Sequence, residues 1–282
     1  MTSSIKTAVL FAALTALFIV IGGLVGGKAG MMIALIFAIV TNFISYWYSD
    51  SIVLRIYNAK ELSRSDAPQI HSIVEELSKN AGIPKPKIYI VPDPSPNAFA
   101  TGRNPENAVV AVTQGIMHLL NTNELRGVLA HEIAHIANRD ILIQSSAAML
   151  GSAITALANM LYFTSLFGGR DSENSNPLSA VGAILMIILA PLAASLIQMA
   201  ISRSREYLAD ESGASYCSDP MALANALNKL NTYSQQIPLN NANPATENMF
   251  IVSPLLSGGM QALFSTHPPI EERIRRLQQM SR

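Results

Sequence analysis

Cysteine occurs once in the 282 residues, at Cys217, so no disulfide can close within the chain. The lone thiol reads as a small buried hydrophobe, and a chain this poor in cysteine suits a reducing compartment. Charge is scarce too. Asp, Glu, Lys and Arg make up 13% of the residues, 19 acidic groups balance 19 basic ones, and the isoelectric point is near 7.0. With no basic excess, the electrostatic footprint of a nucleic-acid binder is absent, and nucleic acid is not an expected partner. Aromatic residues are only 6%. What the chain has instead is apolar residues, half of the total, with a mean hydropathy of +0.30. That is more apolar than a soluble protein of this length requires, and the excess is concentrated.

Four stretches approach the ~20 apolar residues that span a bilayer. The first runs from 7 to 27 and the second from 30 to 48, both uncharged inside and separated by a tight turn at Lys28. They read as a transmembrane hairpin whose second arm ends in Tyr46, Trp47 and Tyr48, rings suited to the headgroup level. The first stretch is longer than a signal-peptide core and leads straight into another span, so it reads as a retained anchor. Gly22, Gly23, Gly26 and Gly27 form overlapping G-x-x-x-G patterns. They are read as the turn end of the hairpin, with close helix packing as the alternative. The third stretch, 141–166, carries Ser145, Ser152, Thr155 and Asn159 within roughly a quarter of the helix circumference, a stripe that faces protein or a wet cavity. The fourth, 178–201, contains Pro191, which predicts a kink. If all four span, 50–140 and 202–282 share a side. Lys6, Arg55, Lys60, Arg64, Arg126, Arg139, Arg203 and Arg205 flank the membrane there, against Lys28 and Arg170 opposite. The positive-inside bias then places the polar parts in the cytoplasm.

Between the hairpins, 66–80 has Ile70, Ile73, Val74 and Leu77 at helical spacing behind an Asp66 cap. KIYIV, NAFAT and AVVAVT read as three short strands. Asn121 with Glu124 three positions on resembles a capping box that opens a further helix. The expected organisation is a transmembrane hairpin over 1–49, a first domain part over 50–140, a second hairpin over 141–201 and a second domain part over 202–282. The fold class is α+β: four transmembrane helices in two hairpins, with a cytoplasmic domain assembled from both parts.

That domain carries HEIAH. His131 and His135 lie four apart, so on a helix both imidazoles leave the same face one turn apart. Two neutral imidazoles suit Zn²⁺ and leave room for a third ligand and water. Glu132 can reach that water without ligating, which makes it the candidate general base. In random order this composition would yield the pattern in on the order of a few chains per thousand, so it demands a cause. Glu206 is the candidate third ligand. Asp210, four positions later on the same helical face, is the candidate acceptor for a ligand histidine's other N–H. The bland alternative is a solvated acidic face. Weaker candidates for gripping substrate or stabilising an oxyanion are Asn97 in the NAFAT strand, His267 in STHPP, and Tyr207. His71 and His118 read as structural or surface residues.

HEIAH at 131–135, EYLAD at 206–210 after an apolar hairpin, PNAFATG at 96–102 and STHPPIEERI at 265–274 together resemble the HtpX family of membrane zinc metalloproteases. The resemblance covers nearly the whole chain and implies a gluzincin-like core. It implies one zinc held by His131, His135 and Glu206, with Glu132 catalytic. It also implies a multi-pass protein of the bacterial inner membrane with its active site facing the cytoplasm. Its expected substrates are polypeptides, damaged or misassembled membrane proteins among them, in stress-linked quality control. An intramembrane metalloprotease is disfavoured: such enzymes place a later Asp-Gly as third ligand, and no Asp-Gly pair occurs here. The competing class is a membrane scaffold or pseudoprotease that binds zinc without cleavage. Oligomeric state has no signature in the sequence.

Overall fold

The computed structural model describes residues 3–147, 203–236, 251 and 268–281. The first two apolar stretches form α1 (Ser3–Trp47), helical along its length yet folded back on itself. At 1.5 Å per residue a straight helix would hold Phe11 and Asn42 about 46 Å apart. Instead Asn42 Nδ2 donates to the Phe11 carbonyl at 3.4 Å and to Thr15 Oγ1 at 2.9 Å. Phe18 meets Phe37 edge-on, ring centroids 5.3 Å apart. The reversal sits at Gly27, φ 56°, a left-handed conformation open to glycine. Gly22 then passes Gly30 so closely that a Cβ on it would lie 2.4 Å from the Gly30 carbonyl oxygen. The glycine run therefore serves both purposes left open by the sequence, turn and close helix packing.

Among the described residues one helical stretch, Gly27–Trp47, is long and apolar enough to cross a membrane, and the Thr7–Val20 arm is apolar but shorter. Of the third apolar stretch, only its helical start at 141–147 is described. Ser152, Thr155, Asn159 and the whole fourth stretch with Pro191 lie outside the described residues. Leu10 and Leu14 of α1 pack on Ile143 and Ala147, so the hairpin and the start of the third stretch share a small apolar cluster. Ser145 turns toward protein, its Oγ 2.8 Å from Thr101 Oγ1.

After α1 the chain runs through α2 (Ser49–Ile56), β1 (Lys60–Glu61), α3 (Pro68–Ala81), β2 (Lys87–Val91), β3 (Ala98–Gly102), β4 (Ala108–Thr113), α4 (Gln114–Leu119) and α5 (Thr122–Ala137). Beyond the second apolar pair come α6 (Arg203–Cys217), α7 (Pro220–Gln236) and α8 (Ile270–Met280). The three expected strands form where the β-rich runs stand, joined by the two-residue β1. The sheet order is β1-β2-β4-β3, with β2 and β4 parallel and the other pairs antiparallel. β4 is interior and β3 lies at an edge. Asn121 and Glu124 form the capping box, each side chain accepting from the other's backbone N–H at 2.9 Å. Asp66 does not cap α3. The N-cap is Ala67, without a side-chain bond, and Asp66 instead closes a turn with Ser63.

Side chains alternate along β4 with the period of a strand. Ala108, Val110 and Val112 face a core shared with Val74, Leu77, Leu129, Ile133, Ala214, Leu227 and Leu277. Val109 and Ala111 face the other way, onto Val53, Leu54 and Phe99. One core thus draws on α3, α5, α6, α7 and α8, from both sides of the 141–201 excursion, giving a mostly helical α+β unit.

Candidate metal centre

Helix α5 carries His131, Glu132 and His135 with their side chains buried. Its stripe of Leu125, Val128, Leu129 and Ile133 fixes the rotation of the helix in the core, and that rotation aims both imidazoles at α6. Helix α6 comes in close: a Cβ on Gly213 would lie 2.9 Å from the His131 backbone nitrogen. This contact brings Glu206, in the first turn of α6, against the two rings. Nε2 of His131 and Nε2 of His135 are 3.2 Å apart. Glu206 Oε2 lies 3.7 Å from the first and Oε1 lies 3.5 Å from the second. One donor atom from each of the three residues falls within 4.8 Å of the others.

These spacings fit a tetrahedral ion. With ligand bonds near 2.0–2.1 Å, neighbouring donors around zinc stand about 3.3 Å apart. The chemistry fits as well. If each Nδ1 carries the ring proton, the two Nε2 lone pairs and a carboxylate converge on one buried point, a donor set suited to a bound cation.

The Nδ1 atoms are faced by carboxylates. Asp210 Oδ1 is 2.9 Å from His131 Nδ1, though off the direction of a ring N–H. Asp140 Oδ2 is 3.5 Å from His135 Nδ1. Each carboxylate has a buried guanidinium behind it. Arg273 of α8 holds Asp210 with two bonds, Nε to Oδ2 at 2.8 Å and Nη2 to Oδ1 at 2.7 Å. Its Nη1 donates to the Ile251 carbonyl at 3.2 Å and stands 3.9 Å from Glu206 Oε2, while Nη2 comes within 3.5 Å of His131 Nε2. Arg205 Nη1 lies 3.6 Å from Asp140 Oδ1. Arg205 had counted among the positive residues flanking the membrane, but its side chain is turned inward here.

Burial and charge act in opposition on these groups. Burial lowers the His131 imidazole, with Asp210 pulling the other way. Burial would lower His135 too, but Asp140, Glu206 and Glu132 outweigh it and raise it to about 9. Burial favours protonation of Asp210, yet Arg273 overcomes it and holds the carboxyl below its ordinary range. Glu132 is raised by burial to about 7, against His135 and a hydrogen bond from the Ala100 backbone. A carboxylate poised near neutrality is suited to accept and return a proton.

The structure thus brings together His131, Glu132, His135, Glu206 and Asp210. Asn97 is buried, and its Oδ1 accepts from the Ile251 N–H at 3.2 Å, tying the start of β3 to the C-terminal part. Tyr207 leaves the cluster, its ring under the Arg276 guanidinium at 3.7 Å. His267 lies outside the described residues. Cys217 is buried, and His71 Nε2 meets the Leu62 carbonyl at 2.8 Å. Sequence reasoning missed Asp140, Arg205 and Arg273. For Arg273 a signal existed: Ile270, Arg273, Ile274 and Leu277 form one i, i+3, i+4, i+7 stripe, so this arginine alone of the three in EERIRRL sits on the apolar face.

The family model for peptidase family M48 matches residues 64–281. The chain belongs to peptidase family M48. It is 54% identical to a protease HtpX homolog of Sulfurihydrogenibium sp. (strain YO3AOP1), over 100% of this chain and 97% of that one. It is 56% identical to a protease HtpX homolog of Syntrophobacter fumaroxidans, over 99% and 100%. Among solved structures, the S. mikatae Ste24p crystal structure aligns with a TM-score of 0.52 at 19% identity, over 97% of this chain. The chain spans 65% of that structure's length, and the likeness is one of fold. This M48 member is a metalloprotease, a hydrolase of peptide bonds, and the His131–His135–Glu206 group is its candidate metal centre.

Proposed function

We propose that the protein is a membrane-bound, zinc-dependent endopeptidase whose site faces the cytoplasm and whose substrates include misfolded or damaged membrane proteins. The observation that carries the zinc reading is the buried convergence of two Nε2 atoms and one carboxylate at tetrahedral spacing, in a chain of a metallopeptidase family. His131, His135 and Glu206 would hold the ion. When bound, zinc supplies the Lewis acidity that activates water and polarises the scissile carbonyl.

The chain's own residues do the rest. Glu132, outside the three-residue ligand group, takes the proton of the attacking water and returns it to the leaving amine. Its burial keeps bulk water from levelling that proton affinity. Asp210 and Asp140 fix the imidazole tautomers. Extended substrate pairs with the edge strand β3, next to α5, by strand addition. In the antiparallel pair with β4, Asn97 is bonded to Thr113, so alternation turns the backbone groups of Ala98, Ala100 and Gly102 outward. Ala100 already meets Glu132, so its neighbours on the edge are left for substrate. The apolar hairpin would keep this site at the bilayer, where loops of membrane proteins emerge.

Metal analysis and casein cleavage by purified protein test the proposal. The expected result is about one zinc per chain and proteolysis that disappears in Glu132→Ala while zinc remains. Zinc without cleavage in the wild type would make the protein a pseudoprotease, and substoichiometric zinc would overturn the metal assignment.

A further inference from the structure

We infer that Arg273 and Arg205 are positioning residues, each pressing an aspartate against the Nδ1 of one metal-ligand histidine. The inference rests on the metal reading given above and concerns what holds the ligands still.

The geometry repeats on both sides of the site. His131 is backed by Asp210 and then Arg273; His135 is backed by Asp140 and then Arg205. The two arginines reach the site from different parts of the chain. Arg273 is fully buried on α8, near the C-terminal end of the described residues. Arg205 stands at the start of α6, after the 141–201 segment in sequence, and Asp140 stands just before that segment. The Asp140–Arg205 pair therefore joins residues from either side of the segment on the same carboxylate that faces His135.

Each guanidinium removes a specific freedom. A carboxylate facing an imidazole can swing away or take a proton, and either change releases the ring. The two-pronged Arg273 grip fixes both oxygens of Asp210, which a lysine's single point of charge cannot do. Arg273 also donates to the Ile251 carbonyl, whose N–H is held by Asn97 at the start of β3. A continuous set of hydrogen bonds thus links the edge strand, the C-terminal helix and Asp210, whose carboxylate stands against the ring of His131. On the other side the Arg205 contact is longer and one-pronged, so a weaker effect is expected there.

The test reads metal rather than proteolysis. Co²⁺ is bound to the full-length protein and to Arg273→Met, Arg273→Lys and Arg205→Met, with the visible spectrum reporting ligand geometry and a chelator competition reporting affinity. Arg273→Met should weaken binding by roughly 10–100-fold and alter the cobalt spectrum, with Arg273→Lys recovering little. Arg205→Met should show a smaller loss. Because Arg273→Met strands a buried carboxylate, Asp210→Asn and Asp210→Asn/Arg273→Met are measured with it. If Arg273 acts through Asp210, the double variant should bind cobalt no more weakly than Asp210→Asn. Normal affinity and spectrum in the arginine variants, with only a lower melting temperature, would reduce both pairs to structural salt bridges and overturn the inference. A further loss in the double variant would overturn the route through Asp210. Failure of the wild type to bind cobalt or zinc would overturn the metal reading first.

Discussion

Asp140 Oδ2 lies 3.5 Å from Nδ1 of His135, although they are five positions apart and α5 ends in between. The helix stops in a Schellman turn: the Asp140 N–H reaches the His135 carbonyl at 2.9 Å, and the Arg139 N–H reaches that of Ile136 at 3.0 Å. Arg139 takes the left-handed position usually held by glycine, with φ 59°. That turn folds Asp140 back along the last helical turn and under the imidazole, and a new helical run over 141–147 begins there.

Metal uptake should therefore release protons. In the metal-free protein His135 is raised to about 9, where Asp140, Glu206 and Glu132 outweigh burial. It is protonated at neutral pH, and an ion must displace that proton. Calorimetric titration with zinc at pH 7.5, in buffers of different ionisation heat, should show about one proton released from this residue, falling toward zero above pH 9. The stability that His135 lends the metal-free fold follows the same sign. It is full below the ordinary value of 6.5 and is lost as pH rises through about 9. Asp140→Asn should reduce the proton count; an unchanged count would show that Asp140 does not hold the proton.

Glu132→Gln should lower kcat by about 10²–10⁴-fold, the usual contribution of a general base, while keeping the metal. The amide preserves shape and the bond from Ala100 but accepts no proton. Loss of metal along with activity would place Glu132 among the ligands and displace Glu206.

The parts of this site legible in the sequence are those governed by helical periodicity. His131 and His135 at i and i+4, and Glu206 and Asp210 at the same spacing, could be paired on paper because each pair lies on one helix. Asp140 could not, because its approach to His135 depends on the left-handed Arg139, which no residue preference announces. Arg273 lies 63 residues from Asp210 and 142 from His131, a separation only the packed core closes. The strands were legible as short apolar runs between Pro- and Gly-rich turns, although AFATG holds a single β-branched residue. That β3 would be the edge, and that Asn97 would hold Ile251, depended on long-range pairing.

Gly213→Ala should cost more in metal affinity than its stability loss suggests. The added Cβ would sit 2.9 Å from the His131 nitrogen and 3.0 Å from the Ala130 carbonyl carbon, so α6 must move away from α5 and carry Glu206 with it. Overpacking of this kind costs about 1–3 kcal/mol. Gly127→Ala is the control, since its Cβ would meet the Leu223 backbone at 2.4 Å, between α5 and α7. Thermal melts and chelator competition should show both variants destabilised but Gly213→Ala losing metal more easily. Equal metal retention would separate the α5–α6 spacing from the site.

The last prediction concerns which side of the membrane the site faces. The folded unit is joined to the end of the hairpin: Arg103, in the β3–β4 turn, stacks 4.7 Å over the Trp47 ring and donates to the Trp47 carbonyl at 3.4 Å. Trp47 and Tyr48 are exposed there, as residues of a headgroup layer would be. Because α1 folds back at Gly27, its N-terminal end returns to the same side, and the shared core places α6 to α8 with them. Lys79 and Gln278 are both exposed, and Cys217 is buried and replaceable. In a Cys217→Ala background, Lys79→Cys and Gln278→Cys should resist a membrane-impermeant thiol reagent in intact cells and react after lysis. Ser175→Cys, in the polar stretch of sequence between the third and fourth apolar runs, should react from outside if those runs span the membrane. Labelling of position 79 or 278 in intact cells would reverse the topology, and the metal centre would then serve the outer face of the membrane.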